Sequence, residues 1–572
     1  MQFLQHIFAF DTAHPLLFTQ FYFWAFFAIV FAFFALIVSG RKASTRVRLH
    51  LRNIFLMFVS WFFYYKTSGV FLYILVTLTL VNWAIGLALS RFTRHSWRVV
   101  ALLAAIVVNL GFLFYYKYAY FALDIFNSVT GLNYTIVDQI ILPVGISFYT
   151  FQVISYVVDV YRREVAVVTN VFDFGFYVAF FPQLVAGPIV RASEFVPQLY
   201  KPFFLTKRQF GIAVFWILNG LLKKIILSDY LAVNFVDRVF QSPMLFTGFE
   251  NFFALLVYSM QVYADFSGYT DIAIGVAMLM GFRLPQNFDA PYKARNPQEF
   301  WRRWHQSLSR WLKSYVYFPL GGNRTVFGRR ISSNDKVNKL WVGNINRFAT
   351  MLIGGLWHGA SWNFVIWGAL NGAAQIVNQI WRATNRHIRY WALTLITVAI
   401  VLWRVLGTNA LPLVNVISVY LVIVWAGYSL GYLYALMFKP NGFSSFCGTV
   451  FAVLQTFVFI SFTRLFFRAA SNLDPATANA EAWSTAKAMV TQIGSAWDSS
   501  IIWPFMCEYK AVVMVFVLGM VVHWLPNRWK RWYRLNFAYL PIWAIALITL
   551  LAVFIAYQFV TADMQPFIYF QF

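Results

Sequence analysis

Two histidines stand where an imidazole could do chemistry. His358 lies within GGLWHGASWNFVIWG (354–368), an otherwise apolar run, and an ionisable side chain at membrane depth is costly enough to mark function by default. Gly354, Gly355, Gly359 and Ala360 surround it with almost no side-chain volume, which lets helices approach closely and lets a substrate reach the backbone. A neutral imidazole is well suited to taking a proton from a hydroxyl near neutral pH. If that hydroxyl attacked a thioester carbonyl, acyl transfer would require neither a covalent enzyme intermediate nor a metal. The competing account is a packed helix junction around a hydrogen-bonded histidine.

The second imidazole follows a helix-start signature. In Asn296-Pro297-Gln298-Glu299 a capping side chain precedes Pro at the first helical position, with Glu three residues after the cap, which predicts a helix over 297–316. At about 100° per residue, Phe300, Trp301, Trp304, Leu308, Trp311, Leu312 and Tyr315 share one face. Arg302, Arg303, Gln306, Ser309, Arg310 and Lys313 collect on the other, the pattern of an interfacial amphipathic helix. His305 falls at the border, from which it could point along the interface or into a cavity; a histidine merely hydrogen-bonded at a helix edge is an equal alternative. Arg302 and Arg303 are expected on lipid phosphate or on an anionic acyl donor.

Two further stretches carry polar groups in apolar surroundings. QVYADFSGYTDIAIG (261–275) holds Asp265, Ser267 and Asp271, either as a water-lined turn or as a hydrogen-bonded knot between helices. PVGISFYTFQ (143–152) is read as packing. No H-E-x-x-H, G-x-S-x-G, Walker or dinucleotide fingerprint occurs. Ser361 has no nucleophile elbow around it, and Cys447 and Cys507, the only cysteines, give neither a disulfide framework nor metal-ligand spacing. No metal site and no bound cofactor are expected.

The elements that must position these residues are membrane spans. The chain is 60% hydrophobic and 11% charged with mean hydropathy +0.63, against about 45–50% apolar and about 25% charged for a soluble domain. That apolar excess needs lipid. Net charge is +25, a balance that in a soluble chain would raise nucleic-acid binding. Here the cations cluster in short segments between apolar runs: RKASTRVRLHLR (41–52), RFTRHSWR (91–98), NRTVFGRR (323–330) and NRWKRWYR (527–534). Basic loops fix membrane orientation, so nucleic acid is not expected and these segments are placed on the cytoplasmic side.

Residues 1–20 lack Lys and Arg, which predicts a retained first helix and an outside N-terminus. Spans are expected near 18–38, 53–66, 69–90, 99–120, 141–161, 348–373, 390–407, 414–437, 446–467, 511–525 and 539–560, about 11 or more crossings of about 20 residues each. From 171 to 285 the apolar pattern is interrupted by Pro182, Gly187, Pro188, Lys223, Lys224 and several carboxylates. Such pieces are expected to be kinked or re-entrant and to line a cavity. The fold class is therefore all-α and polytopic, with re-entrant and interfacial helices. Residues 1–470 are expected as one transmembrane core, 471–500 as an exposed loop and 501–572 as a C-terminal transmembrane pair.

PVGISFYTFQ, FFPQLVAGPIVR (180–191), QVYADFSGYTDIAIG, FDAPYKARNPQEFWRRWHQSLSRWLKSYVYFPLGGNR (288–324) and GGLWHGASWNFVIWG, taken in order, resemble the membrane-bound O-acyltransferase family over about 110–470. Within it they resemble the bacterial branch that holds the alginate O-acetylation membrane subunit and the D-alanyl transfer protein of teichoic acids. The resemblance implies a ring of helices around a thin centre. It implies His358 as the catalytic histidine of the WHG block and His305 as the second histidine of the WRRWH block. Arg302, Arg303, Asp265, Ser267, Trp304, Trp357 and Asn363 complete the expected substrate-binding set.

It further implies a thioester donor, acetyl-CoA or an acyl-carrier protein, presented from the cytoplasm. The acceptor is then a polysaccharide hydroxyl on the far side of a bacterial inner membrane, reached directly or through a periplasmic acyl-handling subunit. A transporter or flippase, and a non-catalytic scaffold for a secreted acyltransferase, are the alternatives to an enzyme.

Overall fold

A computed structural model of the chain describes residues 10, 16–39, 44–137, 139–325, 329–330, 332–407, 411–438, 442–471, 477–560 and 567. Among these every regular element is helical. Seven helical segments are long and apolar enough to cross a membrane: Phe21–Ser39, Thr45–Arg91, His95–Thr130, Lys207–Gln241, Arg386–Leu406, Pro412–Met437 and Gly442–Ala469. The pair Ile502–Glu508 and Lys510–Trp524, bent by 87°, would make an eighth. The chain is thus a multi-pass, all-α membrane protein. Of the other expected crossings, 141–161 contains a helix of only 17 residues, Ile146–Arg162, and 539–560 contains Ile542–Gln558, also 17 residues.

The chain forms two compact units, Met1–Ile226 with Ala264–Asn287 and Pro526–Phe572, and Leu227–Tyr263 with Phe288–Leu525. In the first unit, buried polar side chains tie helices together. Asn82 and Asn109 exchange amide hydrogen bonds of 3.0 and 2.8 Å, and the Asn53 amide donates to Asp173 at 2.8 Å. Gly220 lies so close to its neighbour helix that a Cβ there would stand 2.5 Å from the Gly268 carbonyl oxygen, the use of small residues expected between membrane helices.

The second unit holds both histidines. Its site-forming helices are α1 (Pro297–Arg303), α2 (Gln306–Leu312), α3 (Asp335–His358), α4 (Trp362–Ala383), α5 (Gly442–Ala469) and α6 (Ala478–Ser495).

Several sequence expectations are corrected. The span expected over 348–373 is not one helix: α3 ends at His358, and α4 returns antiparallel to it after Gly359-Ala360-Ser361. The glycines permit this, because a Cβ on Gly355 would lie 3.1 Å from the Gly368 Cα and 2.4 Å from the Phe364 carbonyl oxygen. The helix expected over 297–316 breaks at Trp304 and His305, the latter in the left-handed region at φ 41°. Residues 471–500, expected as an exposed loop, contain α6, whose Ala482, Ala486 and Met489 are buried; alanines spaced along one face let it pack despite a polar composition.

QVYADFSGYTDIAIG is not a turn but the middle of an unbroken helix, Gly248–Leu279. The basic segment at 41–52 is helical from Thr45 onward, and 527–534 lies within Asn527–Tyr539. Of residues 501–572, the stretch to Leu525 falls in the second unit and Pro526–Phe572 in the first.

Candidate active site

The broken helix places His305. Asn296 caps α1 as its sequence predicts, its side-chain oxygen accepting from the Glu299 amide at 2.9 Å, with Pro297 at the first position. After 7 helical residues Trp304 goes extended and His305 turns left-handed before α2 begins. A non-glycine residue at positive φ is strained, of order 1–3 kcal/mol, and persists only where its surroundings over-determine it. Packing supplies that here: Trp301, Trp304, Leu308, Trp311 and Leu312 are all buried, and the Ser309 hydroxyl donates to the Trp301 carbonyl at 3.0 Å across the break. The aromatic face is therefore the one expected, but His305 is fully buried, at 0% exposure, instead of sitting at the border.

The end of α3 places His358, which is 3% exposed. Its ring centroid lies 6.5 Å from that of His305. Trp357 packs against both, at 5.9 Å from His305 and 4.9 Å from His358. Trp367 of α4 and Phe467 of α5 complete the aromatic wall at 5.0 and 5.2 Å from the His358 ring. Behind this wall the Trp301 indole donates to the Asn371 side chain at 3.2 Å, and Asn371 donates to the Trp367 carbonyl at 2.9 Å.

Two imidazoles thus meet in a pocket of indoles and phenyl rings, contributed by segments about fifty residues apart. Burial, which penalises the charged form, holds His305 far below the ordinary imidazole value, down to about 3. It is neutral at any physiological pH, able to donate from one nitrogen and accept at the other.

The remaining expected site residues divide. Trp357 lies with the pair. Trp304, 3% exposed, stacks on Phe300 at 5.6 Å and meets Phe288 edge-on at 5.0 Å. Asn363 is buried, its amide donating to the Ala482 carbonyl of α6 at 3.0 Å. Arg303 is engaged by Glu299 at 2.9 Å and Asp289 at 3.3 Å. Arg302, Arg303, Arg295 and Arg382 line a cavity of about 350 Å³ with Asp289 and Glu299, and neither histidine lines it. Asp265 and Ser267 belong to the first unit, where Asp265 pairs with Lys224 at 2.6 Å; the Ser267 hydroxyl is buried without a hydrogen-bond partner among the described residues.

Sequence reading missed Trp367, Phe467, Asn371 and Arg464. Arg464 was the one with a visible signal, a lone cation in the apolar run FVFISFTRLFF (457–467).

The matching family model is that of the membrane-bound O-acyltransferase family, over residues 162–411. The chain is 39% identical over 345 residues to the probable alginate O-acetylase of Azotobacter vinelandii, covering 59% of this chain and 64% of that protein. It is 38% identical over 360 residues to the probable alginate O-acetylase of Pseudomonas putida, covering 61% and 70%. It is 34% identical over 364 residues to the peptidoglycan O-acetyltransferase of Helicobacter pylori, covering 59% and 66%. The chain therefore spans just under two thirds of the length of the Azotobacter relative, at 64%.

Proposed function

The chain belongs to the membrane-bound O-acyltransferase family, and from that premise we propose that it moves an acetyl group from a cytoplasmic thioester to a polysaccharide hydroxyl beyond a bacterial inner membrane. The observation that carries this reading is the meeting of His305 and His358, ring centroids 6.5 Å apart, inside an aromatic pocket. The relatives named for acetylation of alginate and peptidoglycan support a glycan acceptor.

His358 acts as general base on the acceptor hydroxyl, and neutral His305 hydrogen-bonds a reactant to orient it. The aromatic walls exclude water that would otherwise hydrolyse the thioester. Either acetyl-CoA or an acyl-carrier protein serves as donor, with the acyl group passing directly to the glycan or first to a periplasmic acyl-handling subunit. His358→Ala should lower O-acylation of the cell's polysaccharide by about 10²–10⁴ while membrane abundance stays at the wild-type level. Unchanged acylation in that variant would overturn the proposal.

A further inference from the structure

An arginine lies in the apolar interior of the second unit with no counter-charge among the described residues. Arg464, on α5, is 2% exposed, and among the described residues it makes no ion pair and its Nε has no hydrogen-bond partner. Its guanidinium carbon sits 4.0 Å from the Trp304 ring centroid and 6.0 Å from that of Phe300. The Tyr292 hydroxyl is within hydrogen-bonding reach; that hydroxyl donates to the Ser259 carbonyl, which leaves its oxygen to accept from the guanidinium.

A stacked indole and one neutral oxygen partly offset the desolvation of a permanent cation, but they do not neutralise it. A side chain that only filled space here would be Met or Leu, at far lower cost in a helix apolar enough to span. The position matters too. Trp304, under the guanidinium, is bonded directly to His305, and Phe467, one turn along α5 on the same face, packs against His358 at 5.2 Å. Arg464 thus packs on the residue that precedes His305 and lies one turn from the ring that meets His358.

We propose that Arg464 supplies the positive charge opposite the oxyanion that forms during acyl transfer, a role that rests on the acyltransferase reading above. The hydroxyl oxygen bonds to the thioester carbonyl carbon and its proton goes to His358. The carbonyl π pair moves onto oxygen, and that oxyanion is held by Arg464. When the pair returns, the carbon–sulfur bond breaks and the leaving thiolate takes the proton back from His358. Arginine stays charged throughout, so it can serve the anion while the histidine shuttles the proton.

The test uses full-length chain in native membranes, with acetyl-CoA in one arm and an acetyl-loaded carrier protein in another, following thiol release; His358→Ala is the blank. Arg464→Met should lower kcat by about 10²–10³, leaving KM for the donor within a factor of about three and membrane abundance unchanged. Arg464→Lys, which keeps charge and ring contact, should recover at least a tenth of the wild-type rate. A kcat within a factor of three of wild type in Arg464→Met overturns the inference, and so does a raised KM at unchanged kcat, which would mean ground-state anion binding. If Arg464→Met does not accumulate, Arg464→Gln carries the same comparison; failure of both to accumulate assigns a structural role and overturns it. If wild type exceeds the blank in neither arm, it is the acyltransferase reading itself that fails.

Discussion

The His305 ring lies 6.5 Å from the His358 ring, inclined at 65°, with Trp357 touching both. Neither residue could reach the other on the elements their sequences suggest. An unbroken helix through 297–316 would leave His305 at an interface, and an unbroken span through 348–373 would leave His358 mid-helix. Two breaks, one left-handed and one at a glycine, turn both imidazoles into one pocket.

Burial of neutral His305 predicts a pH dependence of stability. Its value in the folded chain is lowered to about 3, below the unfolded value of about 6.5. The contribution to stability is therefore complete above about 6.5 and is lost as pH falls toward 3, because the unfolded chain takes up a proton that the folded chain refuses. In detergent, the Tm of wild type should drop between pH 7.5 and 4.5 more steeply than that of His305→Gln. Parallel slopes for the two proteins would contradict this account.

The glycines beside His358 should respond differently to added volume. A Cβ on Gly359 would meet the Phe364 ring at 2.0 Å, whereas one on Gly355 would meet the backbone oxygen of Phe364 at 2.4 Å. Gly359→Ala should cost about 1–3 kcal/mol through overpacking and be largely rescued by Phe364→Leu, since a side chain can give way. Gly355→Ala should cost at least as much and gain nothing from Phe364→Leu. Thermal melts of the two singles and two doubles decide; equal rescue would show that the α3–α4 approach is not set by backbone contact.

Lys224 and Asp265 form a pair of 2.6 Å with side chains 1% and 5% exposed. Removing one partner takes the 2.6 Å ion pair from the other buried charge, so Asp265→Asn or Lys224→Met alone should cost up to about 3–5 kcal/mol and reduce membrane abundance. The double variant Lys224→Met with Asp265→Leu should restore abundance. Acylation by the double variant then separates two roles for Asp265: near-wild-type activity means the pair only ties helices, and restored abundance without activity means Asp265 contacts substrate.

Sequence alone determined what depends on composition and local order. Apolar excess and cation clustering established a multi-pass helical membrane protein, because no soluble core could bury that surface. The Asn296 cap was legible because it involves four adjacent residues, and the aromatic face of 300–312 because its period is local. His358 stood out as a costly polar group in an apolar run.

Tertiary structure decided everything that depends on where the helices stop. Small residues at 354–360 announce close approach, yet only packing against Phe364 and Gly368 shows that they close a hairpin and do not serve a single span. The left-handed break at His305 lies inside a pattern of unbroken helical period, so no local signal marks it; buried indoles hold it there. The burial of α6, and the placing of Arg464 over Trp304, arise from contacts between residues 100 or more apart in the chain, and such contacts leave no trace in the order of the residues themselves.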